Sequence, residues 1–375
     1  MKVFLLLCLL TMGNAKPYQP FNVASFLKNE IMMADSEDDD DDDDDDDDND
    51  DDNNDDDDDD DDDDYDEDEN CPSGCHCSPK VLQCSDQGQI SVPEKIAEDT
   101  MIIDLQNNDI TEIKENDFIG LHKLYGLFLN NNKISKIHPK AFRHMDHLRL
   151  LYLSYNALTE VPANLPPNVI ELRFHENKIG KIRKDAFKGL KKLHVLELGA
   201  NPLDNSGIEH GAFNGLTTLY VGMAEAKLTA VPKDLPSSIT ELSLDYNKIS
   251  KVEEEDFKRY KNLQRLGLCF NQIKFVENGS LSSIPKLLSC YNHKYDLRVC
   301  WDNGKLTVSL VIFLHGNKIS KVGVNDFCPI NPSMKKNKYA IISLFANPVK
   351  YWEVNPATFR CVTGRRSIQL GNFKK

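Results

Sequence analysis

One motif recurs along most of this chain: L-x-x-L-x-L-x-x-N-x-L. Quoted at core and anchor, its copies are Ile103-Asp104-Leu105 with Asn108, Leu127-Phe128-Leu129 with Asn132, and Leu151-Tyr152-Leu153 with Asn156. Leu172-Arg173-Phe174 with Asn177, Leu196-Glu197-Leu198 with Asn201, Leu242-Ser243-Leu244 with Asn247 and Leu266-Gly267-Leu268 with Asn271 continue the series. Ile312-Phe313-Leu314 with Asn317 and Ile342-Ser343-Leu344 with Asn347 complete it, while Val221-Gly222-Met223 has Ala226 in the anchor position. Through Asn271 the anchors are 21 to 25 residues apart. A unit that short cannot enclose its own apolar side chains, so neighbouring units must stack and share one core.

The L-x-L step alternates with period two, which makes it a short strand with its leucines inward and the residue between them on an open face. Stacked strands of this kind form a parallel sheet. The buried anchor Asn can satisfy backbone groups where the chain bends out of the strand. Val161-Pro162, Leu165-Pro166, Val231-Pro232 and Leu235-Pro236 mark the returning arms, where proline forbids a helix interior. Phe118, Phe142, Phe187, Phe213 and Phe257 join the leucines as core. The chain therefore reads as an α/β leucine-rich-repeat solenoid of about ten to twelve repeats. It should be right-handed and curved, with a parallel β-sheet on its concave face, short 3₁₀ or extended convex arms, and a disulfide cap at each end. Solenoids act through their surfaces, so the candidate ligand contacts are outward residues of the concave sheet: Tyr152, Arg173, His175, Glu197, Tyr220 and Asp245.

The amino end carries different information. Lys2, the apolar run Val3 to Leu10, and the small residues Gly13 and Ala15 form a cleavable signal peptide over 1–15, which places the mature chain outside the cell. No other run of 18 or more apolar residues exists to span a membrane. Asp35 to Glu69 holds 30 of the 61 acidic residues and no Lys or Arg. The formal charge of −17 thus conceals a basic remainder, since 70–375 carries +11, a sign that favours sulfated glycans as partners. The aspartate tract repels itself and has nothing apolar to bury, so it is expected to be disordered. Its carboxylates suit calcium, which accepts six to eight oxygen ligands in flexible geometry. The expected ligands are Asp38, Asp39, Asp40, Asp41, Asp42, Asp43, Asp44, Asp45, Asp46, Asp47 and Asp48 in the first block. In the second they are Asp55, Asp56, Asp57, Asp58, Asp59, Asp60, Asp61, Asp62, Asp63 and Asp64. Binding there should be weak and spread over many sites, with no organic cofactor.

Cysteines stand at both ends of the repeats. Cys71, Cys75, Cys77 and Cys84 follow C-x3-C-x-C-x6-C, and secretion favours disulfides over a zinc set with His76. Cys328 and Cys361 bracket an unusually long last repeat, with 30 residues from Asn317 to Asn347, and should pair. Cys269, Cys290 and Cys300 are left over. If Asn292 is an anchor, Cys290 falls beside Cys269 on the next strand, within disulfide reach. Yet the stretch Leu287 to Leu310 departs from the repeat, and it reads either as a divergent repeat or as a shifted reading frame.

The front cysteine spacing, the long repeat between Cys328 and Cys361 and the aspartate run together resemble the class I small leucine-rich-repeat proteoglycans, the decorin and biglycan group. The similarity covers nearly all of the mature chain. It implies pairing of Cys71 with Cys77 and Cys75 with Cys84, a removable propeptide over 16–34, and binding to fibrillar collagen and to growth factors of the TGF-beta type. The domain order is then signal 1–15, propeptide 16–34, aspartate tract 35–69, amino-terminal cap 70–100, repeats 101–327, and ear repeat with carboxy-terminal cap 328–375. In this group a collagen-contacting strand carries a basic and an acidic residue. The matching segment Tyr220 to Lys227 keeps the acid as Glu225, but Gly222 stands where an arginine is expected.

No nucleophile elbow, phosphate loop, paired-histidine motif or dinucleotide fingerprint is present, so an enzyme is not expected. The acidic tract contains no Ser-Gly for a glycosaminoglycan chain, and Asn278-Gly279-Ser280 is a sequon for N-glycosylation. The function read from the residues and the resemblance is a secreted matrix protein that binds collagen, calcium and growth factors, without nucleic acid or membrane partners. The alternative is a soluble leucine-rich-repeat fragment of a ligand-recognition receptor.

Overall fold

The computed structural model describes residues 71–276, 280, 310–328, 339–362 and 368–370, with four two-residue strands between 290 and 306. The signal, the propeptide, the aspartate tract and Asn278 lie outside the described residues. Thirteen strands form one sheet whose spatial order is the sequence order. The hairpin His76–Ser78 with Val81–Gln83 is antiparallel, and each later strand joins its predecessor in parallel. Register follows from the motif. Ile103, Leu127, Leu151, Leu172, Leu196, Val221, Leu242, Leu266, Ile312 and Ile342 pair in one continuous row and are fully buried. Slipping one strand by a residue would turn its leucines onto the open face.

The returning arms are extended chain and turns. Among the described residues none is α-helical. The arms carry 3₁₀ turns at Asn205–Gly207, Tyr351–Glu353 and Pro356–Phe359 and short parallel pairs such as Glu112–Ile113 with Lys136–Ile137. Phe118, Phe142, Phe187, Phe213 and Phe257 fill the space between arms and sheet, and Phe187 stacks on Phe213 at 5.8 Å.

The anchor asparagines tie each coil to the one before it. Asn132 Oδ1 accepts the Ile110 N–H at 3.1 Å, while its Nδ2 donates to the carbonyls of Leu105, Leu129 and Asn130. The same rung recurs from Asn156 to Ile134, Asn177 to Leu158, Asn201 to Ile179, Asn247 to Leu228, Asn271 to Ile249, Asn317 to Ile273 and Asn347 to Ile319, all at 2.9 to 3.0 Å. Ala226, buried in the same row, has no side-chain amide with which to make one. The residue before each anchor bends left-handed, with φ between 51° and 57° at Asn107, Asn131, Tyr155, Glu176, Ala200, Glu225, Tyr246, Phe270 and Ala346. Such a backbone is costly outside glycine. Each of the first eight donates its N–H to a carbonyl of the next coil, so the stacking holds the bend.

Two features depart from the sequence reading. Arg265–Gly267 pairs directly with Leu310–Phe313, although 46 residues separate Asn271 from Asn317, close to two repeat lengths. The described parts of the intervening stretch are two separate antiparallel pairs, Cys290–Tyr291 with Leu297–Arg298 and Trp301–Asp302 with Lys305–Leu306. That stretch therefore contributes no strand to the main sheet at Cys290, and Asn292 lies outside the described residues. Cys290 is not the lateral neighbour of Cys269: the buried Cys269 thiol lies 3.5 Å from His315 Nδ1. The caps agree with the reading. Cys71–Cys77, Cys75–Cys84 and Cys328–Cys361 are disulfides with Cα separations of 5.8, 4.3 and 5.6 Å.

Candidate functional site

The concave sheet is the site, and its strand residues divide it into three zones. At the amino-terminal end the face is apolar. Val81, Ile102, Phe128 and Leu150 form a cluster of their own, edged by Met101, Tyr125, Tyr152 and Ile170. Phe128 can lie across the sheet because Gly126 has no side chain, and a Cβ there would sit 3.1 Å from the Phe128 ring. Tyr152 meets that ring edge-on, with centroids 5.0 Å apart.

The central zone is charged and internally paired. Tyr152 Oη donates to Glu171 Oε1 at 2.8 Å, Arg173 bonds the same carboxylate, and its guanidinium lies 5.0 Å from the Tyr152 ring centroid. One coil on, Tyr220 Oη donates to Glu197 Oε2 at 2.7 Å and the Gly199 N–H to Glu197 Oε1 at 3.0 Å. Arg265 then bonds Glu241 at 2.6 Å. Gly222 becomes intelligible here: a Cβ at that position would fall 2.3 Å from both Glu197 carboxylate oxygens. The residue that replaces the expected arginine thus makes room for Glu197.

Beside these residues polar side chains stand at the position two before the anchor in most coils, interrupted at Gly199 and Ala224. Gln106 Nε2 donates to Asp104, Asn130 Nδ2 to Gln106 Oε1, the Ser154 N–H to Asn130 Oδ1, and Ser154 Oγ contacts His175 Nδ1 at 2.8 Å. Further along, Asp245 Oδ1 accepts the Cys269 N–H at 2.6 Å, and Cys269 meets His315. By residue type this last group holds a nucleophile and a base. The geometry makes it structural, because Cys269 is wholly buried and Asp245 holds the cysteine backbone.

Burial governs the titration of the face. It lowers the His175 pKa to about 4, with Arg173 adding to the effect, so the imidazole is neutral near pH 7. Burial raises Glu197 against the opposing bonds from Tyr220 and Gly199. It also raises Tyr220 and Tyr152, each helped by its neighbouring carboxylate. Burial works against charge on Arg173, but Glu171 outweighs it and holds that pKa above its usual value. Both tyrosines remain hydroxyl donors. Such groups suit recognition by fixed hydrogen bonds and charge better than proton transfer.

Of the residues read from sequence, Tyr152, Arg173, His175, Glu197 and Tyr220 lie together on this face, half-buried. Asp245 belongs to the same row but is 1% exposed, because the next coil closes over it. Glu225 is exposed at a left-handed bend just beyond its strand. Sequence reasoning missed Glu171, Glu241 and Arg265, which open their strands and face the same side. It also missed the apolar zone, whose signal was available: Met101-Ile102-Ile103 and Leu150-Leu151 are apolar at consecutive positions, as in a strand covered on both faces.

The Leucine rich repeat family model matches residues 99–158 and 237–289. Asporin of Bos taurus is 54% identical over 376 aligned residues, covering all of both chains. Biglycan of Canis lupus familiaris is 55% identical and that of Homo sapiens 48% identical, each over 81% of this chain and 83% of the relative. A chain from the solved octameric complex of Latrophilin 3 (Lec, Olf), Unc5D (Ig, Ig2, TSP1) and FLRT2 (LRR) superposes with a TM-score of 0.53 over 78% of this chain and all of that one. At 24% identity it supports the fold alone. Full-length similarity at this level, together with the capped ladder of repeats, places the chain in the small leucine-rich proteoglycan family alongside asporin and biglycan.

Proposed function

We propose that this chain is a secreted, non-enzymatic protein of the extracellular matrix whose concave face binds fibrillar collagen and growth factors of the TGF-beta type. The observation that carries the reading is the band of paired charges and tyrosine hydroxyls from Tyr152 to Arg265, which crosses six consecutive strands. A long, shallow, polar band suits a rod-shaped ligand that exposes backbone carbonyls and spaced charges. Gly222 and Glu197 in place of an exposed arginine move the contact away from Tyr220 to Lys227 and toward Glu171, Arg173, Glu241 and Arg265. Co-sedimentation with collagen fibrils tests this. The double variant Arg173→Ala with Arg265→Ala should lose most binding while its unfolding free energy in urea stays within about 1 kcal/mol of the parent's. Full retention of binding by a folded double variant would remove the concave face from the proposal.

The aspartate tract is proposed to add calcium. Carboxylate oxygens are the ligands calcium prefers, and a tract without a fixed turn or bidentate glutamate should bind with Kd of about 10⁻⁴ to 10⁻³ M per site. Calorimetry on chains beginning at Lys16 and at Asn70 separates this from a spacer role. Equal calcium uptake by the two refutes it.

A further inference from the structure

On the outer arms, basic residues meet acids of the neighbouring coil. Lys133 pairs with Asp109, Arg143 with Glu115, Arg183 with Glu160, Lys181 with Glu209 and Lys233 with Asp256. The edge where the arms turn back into the sheet differs. Backbone bonds hold its coils in file: the Arg149 N–H donates to the Tyr125 carbonyl, Ile170 to Arg149, His194 to Ile170 and Leu219 to His194. Arg149 and His194 therefore stand two coils, about 10 Å, apart. Asn168 Nδ2 donates to the Asp146 carbonyl and Thr217 Oγ1 to that of Lys191, so the turns leading into this file are stacked as well. Charge on this edge is one-sided. Residues 186–194 hold Lys188, Lys191, Lys192 and His194, all exposed, and no acid, and the adjacent coils have none over 161–170 and 210–220. Among the described residues no carboxylate pairs with these three lysines or with Arg149, even though Asp146 and Asp185 lie three residues away in sequence from Arg149 and Lys188.

We infer that this edge, through Arg149, Lys188, Lys191 and Lys192, is a binding surface for a sulfated polysaccharide. Like charges gathered without partners repel one another, and an anion laid across them relieves that repulsion. The shape of the surface selects the kind of anion. The lysines stand on an open edge, where a small anion meets few donors at once, whereas a polyanion running along the solenoid axis meets all four cations and releases counterions at each. Chemistry narrows the choice further. Leu190 and Leu193, on the same turn as the lysines, are buried, and the exposed Leu219 lies one coil on, so the cluster has no apolar centre of the kind that anchors a protein partner or inserts into a lipid surface. A sulfated glycan asks for none, since it offers fixed negative charge and hydroxyl groups on a stiff chain. The surface lies at the edge of the sheet, beside the charged band of the concave face and separate from it, and its argument does not rest on what that face binds.

The test titrates the secreted chain with fluorescein-labelled heparin at several salt concentrations. The triple variant Lys188→Gln, Lys191→Gln, Lys192→Gln should bind at least about tenfold more weakly, and the slope of log Kd against log salt should fall by about two to three, one counterion-releasing contact being lost with each lysine. These side chains are exposed, so the variant should unfold in urea like the parent, which shows that the loss is not one of folding. Lys133→Gln, Lys136→Gln, Lys258→Gln removes the same net charge from lysines already paired with Asp109, Glu112 and Glu255 and should change affinity less than about threefold. Desulfated heparin should fail to compete for the labelled chain. Four outcomes would overturn the inference: no binding by the secreted chain, equal losses in the two triple variants, full competition by desulfated heparin, or tighter binding of the same lysines to a peptide of residues 35–64 or to phosphatidylserine vesicles than to heparin.

Discussion

Replacing Asn132 by alanine removes one rung of the anchor ladder. Asn132 is 9% exposed, and four hydrogen bonds depend on it. Three end on carbonyls that have a second donor: Leu105 also accepts from Asn108, Leu129 from Asn156, and Asn130 from the Asn107 N–H. Losing one of two bonds at each is a modest loss. The fourth, from the Ile110 N–H to Asn132 Oδ1, leaves a donor on a fully buried residue facing the new methyl group. An orphaned buried N–H costs about 1 to 3 kcal/mol, and the three shared bonds bring the total to about 2 to 4 kcal/mol. Urea unfolding followed by far-ultraviolet circular dichroism reads this as a lower midpoint at unchanged slope. Every coil is bonded to its neighbours, so the loss should propagate and the amides of 105–134 should lose exchange protection together. A cost below about 0.5 kcal/mol, the usual scatter of surface changes, would mean that water replaces the amide and that the ladder does not hold the coils.

The converse change, Ala226→Asn, should raise stability by about 1 kcal/mol, read as a higher urea midpoint, because it supplies a rung that the neighbouring coils already make. Gly222→Arg should cost about 1 to 3 kcal/mol by driving Glu197 off Tyr220 and Gly199; if collagen affinity rises with no loss of stability, the packing argument at Gly222 fails. His175 titrates near pH 4 when folded and near its ordinary 6.5 when unfolded, so the unfolded chain takes up a proton that the folded chain refuses between those values. Stability should therefore decline as pH falls from 6.5 to 4, and His175→Asn should flatten that decline in urea titrations. Replacing both Cys328 and Cys361 by serine opens a link spanning 33 residues and should lower stability by about 3 to 4 kcal/mol, with exchange protection lost first at 339–362.

What the sequence made legible is what repetition makes legible. Leu127, Leu151 and their equivalents, with the anchor Asn, occur often enough that period and spacing determine strand, register and stacking. The caps were legible because cysteine has few roles in a secreted chain. The skip from Gly267 to Leu310 was not, since an interval of two repeat lengths suggests two coils, and the decision rests on whether the intervening residues can fill a core position. Asp245 and Glu197 look alike on paper, as acids on the concave side. They differ because Gly222 gives Glu197 room to lie half-open beside Tyr220, while Asp245 turns onto Gly267 and is closed over by Cys269.

The same contrast explains how one scaffold can carry a different ligand face. The inward leucines and anchor asparagines satisfy each other, so the coils stack whatever stands between them. The outward residues then answer only to their lateral neighbours: Glu171 to Arg173, Glu197 to Tyr220, Glu241 to Arg265. Each pair spans at most two adjacent strands, and a change at one leaves the core row untouched. Glycines at 126, 222 and 267 set where a neighbouring side chain can lie flat, and thereby which groups stand up toward a ligand. In this chain they lay down Phe128, Glu197 and Asp245, while Arg173 and Arg265 keep part of their side chains exposed beside Glu171 and Glu241, so recognition by the face should depend on those two guanidinium groups more than on the strand that carries Glu225.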